Sequence, residues 1–398
     1  MSVLCVIGTL FVFYGNFLKK EFNEHSFSCS YFPKCSGCKR QTDVRNPEVW
    51  IEICEFFTKV SSIQPELISK EITGWRSKAK LAVRGSFDHP KIGLFEEGSH
   101  NVIDLKRCPL HYPVMDEALD EIRREIKECK IDPYQEKGHL GRLRYLQMLV
   151  DRKTLKIQLT LVIKGTFLEE NERAFVKQLY NEGRFHSIWI NYLPEKTNSI
   201  FGNSWDLVEG EEDFFQEING IFCAFHPSCF SQAHLSLFDD MISFVNSLVE
   251  EGKRVLELYA GVGCIGLSLA ATAEKVILVE SSLHAEKCFK KTLEKLSDRM
   301  KEKCYFLTSK VEDMDLNLQA VDVILVDPPR KGLSIECKKQ IVQSDATQLI
   351  YISCGYESFM RDCKEFLAQN WELETAKGFL LFPGTNHVEI IANFKKLE

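Results

Sequence analysis

No stretch of this chain is apolar for long enough to cross a bilayer. The nearest approach, residues 3–18, is interrupted by Gly8, Thr9, Gly15 and Asn16 and falls short of the roughly 20 residues a spanning helix needs. No Lys or Arg precedes it and no small-residue cleavage site comes before Lys19 and Lys20, so a secretory signal is not expected. Excess positive charge is also missing. Lys and Arg total 50 against 57 Asp and Glu, a net charge of −7, which argues against a protein that coats nucleic acid non-specifically but leaves room for a local basic cleft. Internal repeats and low-complexity tracts are absent. Cysteine, by contrast, is plentiful, with 15 in 398 residues. An odd number spread from Cys5 to Cys363 does not resemble a secreted disulfide framework. Reduced thiols in the cytoplasm fit better, some of them as ligands or nucleophiles.

At about 150 residues per domain the length allows two or three domains. Residues 1–27 form a hydrophobic extension of unknown role: an anchor, a packed extension or the product of an upstream start codon. A loop rich in Cys, Lys and Gly follows over 28–46. A helix is expected over 47–60, with Asn46 as N-cap and Pro47 at the first helical position. Alternating apolar residues over 76–104 predict strands joined by turns near 88–90 and 97–99. A helix (114–129), two strands (142–150, 154–163), a helix (169–180) and a strand (185–192) come next. Residues 28–220 therefore form a mixed α+β domain with a largely antiparallel sheet.

Past residue 220 the rhythm changes. Helix 233–250 leads into strand 254–259, helix 264–271, strand 275–280 and helix 283–296. Strands then recur at 305–307, 321–326, 348–352 and 389–393. Strands alternating with helices predict an α/β fold, a doubly wound parallel sheet spanning 221–398.

Four motifs lie in this half. Gly261, Gly263 and Gly266 form G-x-G-x-x-G between a strand and a helix, and Glu280 ends the next strand, placed to accept hydrogen bonds from ribose hydroxyls. NAD enzymes and S-adenosylmethionine (AdoMet) enzymes share this pattern. Asp327 precedes Pro328 and Pro329 at the end of the fourth strand, a sequence common in methyltransferases acting on planar bases and unnecessary in a dehydrogenase. Cys354 follows an apolar strand at the crevice mouth, near a helix N-terminus whose dipole favours a thiolate. Glu389, with His387 two residues before it, opens the last strand as a candidate base. One thiol, one carboxylate and a sulfonium methyl donor suffice to methylate carbon 5 of uracil. A thiolate adds to C6, C5 becomes nucleophilic, and a base then removes the C5 proton so that the thiolate can leave.

Together these motifs resemble the RNA uracil-5-methyltransferase family, above all its bacterial 23S ribosomal RNA branch. The resemblance rests on Cys29, Cys35 and Cys38 (Cys-x5-Cys-x2-Cys) with Cys108, on FSQAH around Gln232, and on LYAGVG, LVDPPRKGL, SCG and PGTNHVE. It runs from Cys29 to Phe394. It implies a Rossmann-like class I methyltransferase domain, with Cys354 as nucleophile and Glu389 as base. Gln232, Tyr259, Glu280 and Asp327 become AdoMet-site positions, and Phe230 a candidate for stacking on a flipped base. LELYAG replaces the more usual D-L-Y/F-C-G, FSQAH lacks an Asn found in the family, and no β-barrel module precedes the cysteines.

Cys29, Cys35, Cys38 and Cys108 suit a [4Fe–4S] cluster or a tetrahedral zinc. Three near thiols and one remote favour the cluster, as does the resemblance. A structural role follows, since methyl transfer from AdoMet moves no net electrons. The expected partner is RNA, ribosomal RNA ahead of transfer RNA. No DNA partner, no stable membrane association, a monomer and a cytoplasmic location are expected. Arg76, Lys78, Lys80 and Arg84 share parity on one strand and, with Arg142, Arg144, Arg330 and Lys331, predict a positive path to the crevice. The rival readings are an RNA cytosine C5-methyltransferase, which would favour a second cysteine near Pro328, a non-catalytic iron–sulfur RNA-binding factor and a dinucleotide oxidoreductase.

Overall fold

The computed structural model describes residues 25–315 and 320–397, so most of the 1–27 extension lies outside the described residues. Among those described, no helix is long and apolar enough to cross a membrane. The first elements are helix α1 (Glu48–Val60) and strand β1 (Glu66–Ile68). Pro47, rather than Asn46, occupies the N-cap of α1, while the Asn46 side chain donates to Asp43 Oδ1 at 2.5 Å.

A seven-stranded sheet follows. Strands β2 (Lys78–Gly85), β3 (Pro90–Phe95) and β4 (Val102–Asp104) form a meander, and helix α2 is Pro113–Glu128. Then come β5 (Leu143–Val150), β6 (Ile157–Ile163), α3 (Glu170–Asn181), β7 (Phe185–Tyr192) and β8 (Ser204–Gly210). The order is β4-β3-β2-β5-β6-β7-β8, antiparallel except for the β6/β7 pair, which α3 connects. Helix α2 buries Met115, Leu119, Ile122 and Ile126, whose spacing of three to four residues makes one apolar stripe against the sheet. Strand β6 is buried along its whole length.

The other half begins with the hairpin of β9 (Phe215–Ile218) and β10 (Ile221–Ala224), whose two-residue turn places Asn219 and Gly220 at positive φ, the geometry that suits a tight hairpin. Helix α4 (Leu235–Leu248), β11 (Arg254–Leu258), α5 (Cys264–Leu269), β12 (Lys275–Glu280), α6 (Leu283–Glu294), α7 (Asp298–Lys301) and β13 (Cys304–Thr308) follow. The chain ends with β14 (Val323–Val326), α8 (Ile335–Gln343), β15 (Gln348–Ser353), α9 (Tyr356–Leu367), β16 (Trp371–Phe379) and β17 (Glu389–Lys396). The eight-stranded sheet has the order β1-β16-β17-β15-β14-β11-β12-β13. Only β17 runs against its neighbours. Alternate residues of each central strand point to opposite faces: Val255, Leu278 and Leu325 into one apolar cluster, Leu256, Val279 and Val326 into the other.

Strands β1 and β16 carry no clear signal in the sequence. Segment 48–68, which precedes the first sheet in the chain, joins the second: β1 pairs in parallel with β16, and α1 packs Ile53, Phe56 and Phe57 into the cluster containing Phe359. The Phe57 and Phe359 rings lie 5.9 Å apart. Because Phe57 is fully buried, Phe57→Ala is expected to destabilise the protein by about 3–5 kcal/mol in urea unfolding. A loss below about 1 kcal/mol would mean that α1 lies outside the cooperative unit.

Candidate active site

Strand direction assembles the site. The carboxyl ends of β11, β12, β14 and β15 share one edge of the sheet, so Tyr259, Glu280, Asp327 and Cys354 follow or end neighbouring strands. Strand β17 runs the other way and therefore begins at that edge. Its register pairs Ser353 with Ile390, which puts Cys354 beside Glu389. The glycine motif, the D-P-P turn, the cysteine and the glutamate thus converge, although 128 positions separate Gly261 from Glu389.

The glycine turn has a distinct physical reason at each position. Gly263 adopts φ +87°, and a Cβ there would lie 2.6 Å from Leu278 Cδ2. At Gly266 a Cβ would stand 2.4 Å from Glu257 Oε2, the atom that accepts the Gly266 amide hydrogen at 2.9 Å. A Cβ at Gly261 would meet nothing within 4 Å, so the space above the turn is open. Glu280 secures the turn from the next strand by accepting from the Gly261 amide at 3.2 Å and the Ser282 amide at 3.0 Å. Tyr259, at positive φ, donates its hydroxyl to Glu312 at 3.3 Å.

Gln232 arrives from a segment held by the seven-stranded sheet. Buried Gln147 and Gln158 donate to the Pro227 and Phe225 carbonyls at 2.8 and 3.0 Å, Lys78 donates to the Cys229 carbonyl at 2.9 Å, and the Ser77 hydroxyl donates to the Ala233 carbonyl at 2.9 Å. Gln232 is buried, yet its side-chain oxygen has no hydrogen-bond partner among the described residues. An acceptor so placed calls for a donor that the described residues do not supply. Phe230, two residues earlier, is 69% exposed.

Cys354 lines a cavity of about 640 Å³ with Arg330, Lys331, Arg361 and His387, and with Val49, Glu52 and Ile53 of α1. The α1 contribution has no signal in the sequence, because it depends on where that helix docks. Burial, with the Asp327 charge adding to it and Arg330 opposing, pushes the Glu389 carboxyl up to about 8. Burial raises Asp327 to about 7 and Glu257, beneath the glycine turn, to about 8. The Cys354 thiol rises to about 11 through burial, then the Glu389 and Asp327 charges, with Arg330 opposing. This reverses the expectation that the helix N-terminus holds Cys354 as a thiolate. Burial beside two carboxylates opposes the thiolate there. With Glu389 protonated near neutral pH, its share of that repulsion falls away.

The matches with known proteins bear on this geometry. The family model described as tRNA (Uracil-5-)-methyltransferase matches residues 48–396. The chain belongs to that family. An uncharacterised RNA methyltransferase of Protochlamydia amoebophila is 37% identical to it over 94% of this chain and 99% of the relative. The 23S rRNA (uracil(747)-C(5))-methyltransferase of Pyrococcus abyssi is 27% identical over 92% of this chain and 85% of its own. The crystal structure of the Pyrococcus abyssi tRNA (uracil-54, C5)-methyltransferase with S-adenosyl-L-homocysteine shares the fold, at TM-score 0.74 and 24% identity over 91% of this chain and 86% of that one. Membership makes the chain an S-adenosylmethionine-dependent RNA uracil-5-methyltransferase by class.

The other sequence-predicted set lies elsewhere in the family fold. Cys29, Cys35, Cys38 and Cys108 line one cavity of about 260 Å³ with Gly37, Arg76 and His111. Burial raises the Cys38 thiol to about 12, the neighbouring thiols adding to it. Burial would also raise Cys108, but the hydrogen bond and charge of His111, together with the Leu110 and His111 backbone amides, lower it. His111 is held in turn by Asp116 at 3.0 Å. Among the described residues, no group of three or more His, Cys, Asp or Glu side chains is arranged to hold a metal ion.

The expected positive path needs correction. Arg84 is buried, donating to the Val83 and Arg144 carbonyls and to Glu136, each at 2.9 Å. Arg144 donates to the Leu193, Glu195 and Thr197 carbonyls, and Arg142 pairs with Glu169 and Glu172. Arg76 faces the cysteine cavity. A guanidinium leaves water only where acceptors surround it, and these side chains act as internal struts. Arg330 and Lys331 do reach the crevice.

The raised carboxylates carry a pH signature. Between the ordinary value of 4.5 and about 8 the folded protein keeps on Glu389 a proton that the unfolded chain has lost, so this group makes stability fall as pH rises through that window. Glu389→Gln is expected to flatten the decline, by roughly 1 kcal/mol per pH unit at most, in urea titrations from pH 5 to 8. An unchanged slope would contradict the burial of an ionisable Glu389.

Proposed function

We propose that the protein transfers a methyl group from S-adenosylmethionine to C5 of a uridine in RNA, with ribosomal RNA the first substrate class and transfer RNA the alternative. The reading is carried by the β15/β17 register, which sets Cys354 beside Glu389 with Asp327 adjacent. The bound methyl donor supplies an electrophilic methyl group on a sulfonium. The chain's residues fit it: Gly261 opens the space above the turn, and the unpartnered oxygen of Gln232 awaits a donor. Tyr259, Glu280 and Asp327 border the same edge.

Cys354, once its proton has been given up to solvent, adds as the thiolate to C6 of the uracil, which makes C5 nucleophilic. C5 takes the methyl group, leaving the donor's sulfur as a neutral thioether; Glu389, in its ionised form, then takes the C5 proton, and the thiolate leaves as the C5–C6 double bond re-forms. A carboxyl titrating near 8 suits a base that must hold and release a proton around neutral pH. The family resemblance also assigns Asp327 a hydrogen bond to the uracil edge. Arg330 and Lys331 offer cations to the phosphates, and Phe230 a face for an unstacked base. With labelled methyl donor and ribosomal RNA lacking 5-methyluridine, label is expected in 5-methyluridine. Label in 5-methylcytidine, or none in either ribosomal or transfer RNA, sinks the reading. Cys354→Ala is expected to abolish the covalent adduct with 5-fluorouridine RNA, and Glu389→Gln to accumulate a methylated adduct on ordinary RNA. Normal turnover by Glu389→Gln would remove Glu389 as the base.

For the four-thiol cavity we propose a [4Fe–4S] cluster held by Cys29, Cys35, Cys38 and Cys108. Four thiols lining one cavity support a bound group, three near in sequence and one remote favour the cluster over zinc, and the Arg76 cation facing them suits a ligand set of thiolates. Its contribution is structural, tying the loop that carries three of the cysteines to the one that carries Cys108. Protein purified without oxygen is expected to be brown and to lose its visible absorption when Cys35 is replaced by Ser. Stoichiometric zinc in its place would refute the cluster.

A further inference from the structure

The loop after the D-P-P turn makes one hydrogen bond of its own, from the Gly332 amide to the Pro329 carbonyl at 2.8 Å. Pro328 and Pro329 have no amide hydrogen to donate, and Gly332 takes φ +80°. Three further backbone groups of the loop are satisfied by α9, the helix that follows Cys354. The Ser358 hydroxyl donates to the Arg330 carbonyl at 2.8 Å, Arg361 donates to the Lys331 carbonyl at 2.8 Å, and the Leu333 amide donates to Asp362 Oδ2 at 2.9 Å.

Asp362 is the hub. Fully buried, it also accepts from the Tyr351 hydroxyl on β15 at 2.9 Å, Lys338 of α8 at 3.1 Å and Arg361 at 3.0 Å. A Cβ on Gly332 would stand 2.5 Å from Asp362 Oδ2, so the loop lies directly against the carboxylate. One side chain thus joins the strand leading to Cys354, two helices and the Arg330 loop. Lys338 and Asp362 form a buried ion pair, and apolar replacements of such pairs are often neutral or stabilising. Stability alone does not account for it, whereas fixing a loop in one position does.

We propose that Asp362 is a positioning residue, which holds the 330–333 loop against α9 and β15 so that the Arg330 cation stands at Cys354 and Glu389. The groups facing Cys354 are Arg330, Asp327 and Glu389. Around the cavity stand Glu52 of α1, Lys331 of the loop, Tyr356, Glu357 and Arg361 of α9, and His387 before β17. The inference deepens the reading of Cys354 as the attacking thiol, but its test needs neither RNA nor methyl donor. The rate at which iodoacetamide labels Cys354 is followed against pH by the mass of its peptide in the full chain.

Arg330→Met is expected to move the labelling midpoint up by about one pH unit. Asp362→Asn, which keeps the shape and removes the charge, is expected to move it in the same direction, and Ser358→Ala to do so less. Combined with Arg330→Met, Asp362→Asn is expected to add nothing further, since both act through one cation. Midpoints that coincide with the parent's, or an Asp362→Asn shift that persists in the Arg330→Met background, would overturn the proposal. If Asp362→Asn does not fold, Ser358→Ala and its combination with Arg330→Met decide the matter. A protein that fails to methylate RNA but shows these shifts would lose the proposed function and keep the clamp.

Discussion

The direction of one strand carries the site. In a wholly parallel sheet every strand starts at the edge opposite the crevice, and a residue opening the last strand would be far from one that follows β15. Because β17 is antiparallel to both β15 and β16, Glu389 starts at the crevice edge and falls beside Cys354. That orientation requires β16 to pass first across the sheet. The long apolar pairing of β16 and β17, with Trp371, Leu373 and Phe394 buried between the helices and the sheet, is what holds it there.

Around this arrangement the protein accepts costly burial. Glu257, Asp327 and Glu389 are all shifted toward the protonated form by leaving water. A carboxyl kept near neutral titration is poorly suited to stabilising a fold and well suited to proton exchange. The compensating cation, Arg330, is exposed and comes from the loop clamped by Asp362. The chemistry and its support therefore come from adjacent segments of the same few elements. The second sheet edge and the seven-stranded sheet meet over segment 225–233, whose carbonyls take hydrogen bonds from buried glutamines and Lys78. Gln232 is thereby fixed by a domain distant from the crevice in sequence.

The local chemistry was legible in the sequence. Glycine positions, the D-P-P turn, the cysteine after an apolar strand and the three closely spaced thiols are short-range patterns, and alternating strands and helices betray a parallel sheet. The basic strand misled for a physical reason. Parity places Arg76, Lys78, Lys80 and Arg84 on one face, but it does not say whether that face meets water. Here Lys78 and Arg84 meet carbonyls and a carboxylate and Arg76 the thiol cavity, while Lys80 is exposed. Likewise the N-cap at Asn46 and the thiolate expected at Cys354 depend on neighbours that local pattern does not specify.

Residue identity alone determined which groups could react and which turns had to be glycine, because those requirements are steric and chemical within a few positions. Tertiary structure alone decided that β1 and β16 extend the sheet, that α1 walls the cavity, and that Asp362 grips the Arg330 loop. It also decided how the proton equilibria at Cys354, Asp327 and Glu389 are displaced. Desolvation and charge coupling act through space over a few ångströms, and those distances exist only once the chain has folded.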